Sequence, residues 1–81
     1  MNANGCTTVK IGQEVTYRGA WGSEPPKRVK VTYIELCQQE REKYGTPVDE
    51  ANVEDIRRCC FDLDDGHWCY GYQIDEVHPM S

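Results

Sequence analysis

The side chains that could do chemistry in this 81-residue chain are its thiols and imidazoles: Cys6, Cys37, Cys59, Cys60 and Cys69, with His67 and His78. A tetrahedral zinc site takes four such ligands, usually delivered by close Cys-x-x-Cys pairs on turns. No such pair occurs here. Cys59 and Cys60 are adjacent, and His67 with Cys69 supplies two ligands from one strand face, so no metal is expected. A nucleophilic site would join Cys69 or Cys60 to His67 or His78, and would also need an oriented base, oxyanion donors and a pocket. A chain this short builds only a slender core. It is therefore expected to be no enzyme, with no catalytic residue and no cofactor. The odd cysteine count and the adjacent pair point to reduced thiols serving as small apolar side chains.

The aromatic residues carry a different chemistry, recognition. There are eight, and Trp21 stands apart because it lies in GAWGSEPP, a stretch whose glycines and paired prolines exclude regular structure. A loop tryptophan either folds back to cap a small core or stays exposed as a stacking or peptide-binding residue. A small domain needs every large apolar side chain, so the core-cap reading comes first.

Charge is unevenly spread. The net charge is −5, yet residues 1–48 hold seven bases against five acids while residues 49–81 hold two against nine. Clustered bases are what neutralise a phosphate backbone. The compact basic group is Lys27, Arg28 and Lys30, which with Arg18 and Trp21 gives the alternative reading of a nucleic-acid-associated domain. The acidic total disfavours it.

These residues need elements to position them. Val9, Ile11, Val15 and Tyr17 alternate with polar residues around Gly12, so IGQEVTYRG reads as a first strand entered through a glycine turn. KRVKVTYIELC reads as a second strand. In it Val29, Val31 and Tyr33 share one parity while Ile34 and Leu36 take the other, which predicts a β-bulge or strong bend. Residues 38–55 are charged and punctuated by Tyr44, Gly45 and Pro47. A short edge strand is expected from Pro47-Val48 and a single turn over Val53 to Ile56, capped by Asn52. IRRCCFDLDDGHWCYGY predicts a hairpin around a two-residue type I′ turn at Asp65-Gly66. That register sets Asp64 opposite His67, Leu63 opposite Trp68, Asp62 opposite Cys69 and Phe61 opposite Tyr70. Phe61, Leu63, Trp68 and Tyr70 then share the core face. A short turn before Ile74 and Val77 closes the chain.

The order of strand, Gly/Pro loop, bent strand, charged insertion, tight hairpin, turn and final strand resembles the SH3-like barrel, in particular small Tudor- or KOW-like domains. IGQEVTYRG, KVTYIEL and FDLDDGHWCYGYQIDEV carry the resemblance, which spans about residues 9–77. GAWGSEPPK, IELC, EKYG and FDLDDGHWCYGYQI are also similar to a set of uncharacterised small bacterial and phage-type proteins, which implies no activity. The glycine-centred basic motif of KOW domains and the ALYDY-like opening of proline-binding SH3 domains are missing. The Tudor likeness implies that aromatic rings near the loops enclose a cation. Tyr17, Trp21 and Tyr72 would supply the rings, and Asp64 or Asp75 the negative charge. The other reading makes these rings core and lids.

The expected fold is all-β, a small SH3-like barrel of about five strands with a short helical turn. Residues 1–8 form a flexible tail and 9–78 one domain. The expected function is a non-catalytic binding or adaptor module for a protein or peptide, as monomer or weak homodimer. With no apolar stretch near the roughly 20 residues that span a bilayer and no signal pattern, the expected location is cytoplasmic, away from membranes.

Overall fold

Strict alternation decides which side chains of the first hairpin reach the interior. Val15 and Tyr17 from one strand and Val29 and Val31 from the next are buried, while their neighbours face outward. The computed structural model describes residues 1–80. Its strands are β1 (Thr8–Lys10), β2 (Glu14–Arg18), β3 (Pro26–Leu36), β4 (Thr46–Val48), β5 (Glu50–Asn52), β6 (Cys59–Leu63), β7 (Trp68–Tyr70) and β8 (Ile74–Val77). Three 3₁₀ segments join them: η1 (Ala20–Gly22), η2 (Val53–Arg58) and η3 (Gly71–Gln73). The fold is all-β. The main sheet runs β7-β6-β3-β2-β8 with β4 added against β3, and β1 pairs β5 separately. β7 and β8 end that path without pairing to each other, so the sheets do not close. Among the described residues no helix is long and apolar enough to cross a membrane.

β3 is the spine. Its first half pairs with β2, from Pro26 opposite Arg18 to Lys30 opposite Glu14. Its second half lies between β6 and β4, with Ile34 opposite both Phe61 and Val48. The register shifts between Val31 and Tyr33, so buried positions pass from Val29 and Val31 to Ile34. This is the bend that the change of parity predicts. Tyr33, expected beside the valines, turns outward instead.

The hairpin lies where expected, but its register is one residue different. Leu63 N donates to His67 O over 2.9 Å and Gly66 N to Leu63 O over 3.2 Å, which makes Asp64, Asp65 and Gly66 a three-residue loop. Gly66 has φ 86°, the left-handed residue that follows a tight turn in such loops. Phe61 therefore faces Cys69, and Asp62 faces Trp68. Shifting a strand by one residue exchanges its faces. Cys69, expected on the polar face, is fully buried with Phe61, and Trp68, expected in the core, is 38% exposed.

The 38–55 connection supplies β4 and β5. Asn52 stands at the N-terminus of η2, but its side chain makes no capping hydrogen bond, contrary to expectation. Before β1, Asn2 N donates to Asp75 O and Asn2 O accepts from Val77 N, both over 2.8 Å, alongside β8. Two buried glutamines tie the ends of the sheet. Gln13 donates to His78 O, and Gln73 donates to Arg18 O while accepting from Tyr70 N. Among the described residues no buried side-chain nitrogen or oxygen lacks a partner, as a small core requires.

Candidate aromatic binding face

Residues two apart on a strand share a face. With Cys69 turned inward, Trp68 and Tyr70 must point out, and η3 carries the chain on to Tyr72. The rings touch in series: Trp68 meets Tyr70 edge-on with centroids 5.0 Å apart, and Tyr70 stacks on Tyr72 at 6.1 Å. Trp21 reaches in from η1, its ring 5.7 Å from Tyr70. Edge-to-face and offset stacks at these distances are favourable arrangements of ring quadrupoles.

Trp21 is held outward by its backbone. It has φ 62°, a left-handed conformation that bulky residues rarely take, and it is 70% exposed. Its carbonyl accepts a long hydrogen bond, 3.4 Å, from the Tyr72 hydroxyl. Trp21 is therefore not the core cap that the sequence reading put first; the exposed reading describes it. A recess of about 210 Å³ opens between Ala20, Trp21, Trp68, Tyr70 and Gln73. A larger groove of about 510 Å³ crosses the outer face of β3, β6 and β7, where Tyr33, Glu35, Asp62 and Trp68 line it.

The ring residues expected to enclose a cation divide. Trp21 and Tyr72 come together. Tyr17 does not join them, because its ring is buried in the core at 4% exposure and its hydroxyl donates to Asp65 Oδ2 over 2.7 Å. Asp64 lies on the hairpin loop and accepts from Lys30 N, and Asp75 on β8 pairs with Arg18 over 2.6 Å. The basic residues are largely matched with acids. Arg18 is held by Asp75, Lys27 by Asp65 at 3.1 Å and Arg28 by Glu14. Lys30 makes no ion pair among the described residues.

Burial is the first cause of an upward shift at four of the thiols. With nearby acids it pushes Cys59 and Cys60 up to about 11, and it raises Cys37 and Cys69 in the same direction. A nucleophilic thiol requires the opposite shift. His78 Nε2 lies 2.7 Å from Thr16 Oγ1. Among the described residues no three His, Cys, Asp or Glu side chains are gathered as metal ligands would be.

Trp68 and Tyr70 enter this face only through the corrected register. The Trp-x-Tyr spacing at 68 and 70 was the available signal, since period two on a strand puts both on one side; Tyr72 follows them from η3. Arg41 and Lys43, whose cations lie over Tyr72 and Trp68 at 4.8 and 4.3 Å, left no such pattern. Comparison of the chain with protein-family models, with curated proteins and with solved structures gives no match.

Proposed function

We propose that the chain is a non-catalytic protein- or peptide-binding module of SH3-like build, and that it engages its ligand through the face made by Trp21, Trp68, Tyr70 and Tyr72. The fold reading rests on the strand path β8-β2-β3-β6-β7, on the bent central β3, and on the 3₁₀ turn that leads into the last strand. The observation that carries the function is the exposure of two tryptophans on one contiguous aromatic surface, Trp21 at 70% and Trp68 at 38%. Tryptophan and tyrosine dominate the energetic centres of protein interfaces, because each gives a large, rigid contact with few rotatable bonds. A recess between such rings suits an anchoring side chain. The raised thiols and the bonded His78 favour binding over catalysis.

The test is selection from a peptide display library on immobilised wild type, with each clone re-measured on Trp21→Ala. Peptides that bind wild type and lose at least about tenfold in affinity on the variant, the scale of a hot-spot residue, support the reading. Peptides that bind both proteins equally, or recovery of none, count against it.

A further inference from the structure

The aromatic face is already engaged by the protein itself. Residues 38–45, between β3 and β4, cross in front of it and set two cations on its rings, Arg41 over Tyr72 at 4.8 Å and Lys43 over Trp68 at 4.3 Å. Lys43 also lies 5.6 Å from the Tyr44 ring. Anchors fasten the segment at both ends. Cys37 Sγ donates to Glu42 O over 3.3 Å, Gly45 N donates to Glu35 Oε2 over 3.0 Å, and Arg57 pairs with Glu40 at 3.1 Å. Arg41 has φ 64°, a conformation costly for a side chain with a Cβ and kept only where surroundings impose it.

Rings that hold two cations select for cations, because the negative face of each ring quadrupole attracts positive charge. The floor strengthens this preference. Glu35 and Asp62 line the groove beside Trp68, and residues 49–81, which contribute most of the face, carry nine acids against two bases. We propose that residues 38–45 are a displaceable strap, and that the partner is a basic peptide segment whose arginine or lysine side chains take over Tyr72 and Trp68 from Arg41 and Lys43. This rests on the reading of the aromatic face as the binding surface, and adds both the class of partner and a built-in competitor. A ligand without cations must then displace the strap's two without replacing them, so neutral or acidic segments bind more weakly than basic ones.

The probe is a hexa-arginine peptide, with a hexa-glutamate peptide and a peptide from the display selection for comparison. Each is titrated into wild type and into Arg41→Ala/Lys43→Ala, with the indole N–H signals of Trp21 and Trp68 followed by NMR. An exposed cation–π contact changes an equilibrium constant by about two- to fivefold, so removing both competitors should tighten hexa-arginine binding by roughly fivefold or more. Because that variant also loses two positive charges, Lys10→Ala/Lys30→Ala serves as the charge-matched control, and it should change affinity less than twofold or so if screening behaves as for separated surface charges. Equal tightening in both double variants overturns the strap, since bulk charge then explains the gain. Binding of the display-selected peptide at the indoles, with none of hexa-arginine to any variant, overturns the basic partner and leaves the binding face standing. Failure of every peptide to move either indole overturns both.

Discussion

Tyr17 donates its hydroxyl hydrogen to Asp65 Oδ2 over 2.7 Å, which fastens the core end of β2 to the tip of the β6–β7 hairpin. The same carboxylate accepts from His67 N at 3.0 Å and pairs with Lys27. One side chain thus joins the loop to both strands of the first hairpin. A hydrogen bond to a charged partner contributes about 1.5–3 kcal/mol. Tyr17→Phe should lower unfolding free energy by ~2 kcal/mol in urea titrations. Asp65→Ala should cost more, because it also leaves the buried hydroxyl unmatched. The double variant should cost less than the sum, as coupled partners do.

That carboxylate also gives a pH dependence. Burial alone would raise the Asp65 carboxyl, but hydrogen bonds from Tyr17 and His67 N, and Lys27 beside it, hold it below the usual range. Its contribution is present above the unfolded value of about 3.9 and is lost as pH falls through the lower folded value. At the other end, burial raises Tyr17 and the four buried thiols. Their contribution is complete below the unfolded thiol value of about 8.5 and is lost as pH rises toward the folded values. Thermal melts should show a stability plateau between these limits, with the acid-side loss reduced in Asp65→Asn.

Two glycines separate conformational strain from collision. At Gly66 a Cβ would meet nothing within 4 Å, but φ is 86°, so Gly66→Ala should cost about 1–2 kcal/mol. At Gly71 the Cβ would overlap the Ile56 carbonyl where η3 crosses η2. Gly71→Ala should leave no cooperative unfolding transition, and a cooperative melt of that variant would contradict the packing described.

The hairpin register is checked by a pair of truncations. Phe61 is fully buried opposite Ile34, so Phe61→Ala should cost about 3–5 kcal/mol. Trp68 packs edge-on against Tyr70 from the outside, and Trp68→Ala should cost about 1 kcal/mol, near the value of one aromatic pair. Comparable losses for the two would restore the other register.

Much of this fold was legible in the chain because alternation reports burial directly. Val15 with Tyr17, and Val29 with Val31, mark the core face of β2 and β3, and the change of parity at Ile34 marks the bend. The hairpin's place was legible from Asp-Gly, but its loop size was not. Asp64-Asp65-Gly66 fits a two-residue and a three-residue loop equally well, since both put glycine at positive φ. Amphipathic Trp68 and Tyr70 tolerate either face, so composition did not decide between them. The partition of the aromatic residues followed that error. Tyr17 entered the cation cage only through the Tudor likeness, although its alternation with Val15 puts it on the core face, where its hydroxyl meets Asp65 from 48 residues away. The strap cations Arg41 and Lys43 sit in a segment with no periodicity at all.

The most direct test of the aromatic face as a binding surface is amide and indole chemical-shift mapping of the wild type with the tightest peptide from display, repeated on Trp21→Gly. Glycine accepts the left-handed backbone that Trp21 holds at φ 62°, so the variant should stay folded within about 1 kcal/mol of wild type. The expected result is perturbation centred on Trp21, Trp68, Tyr70 and Tyr72 in the wild type, and loss of binding in a folded Trp21→Gly. Perturbation centred instead on Arg28 and Lys30, with affinity unchanged in the variant, would contradict it.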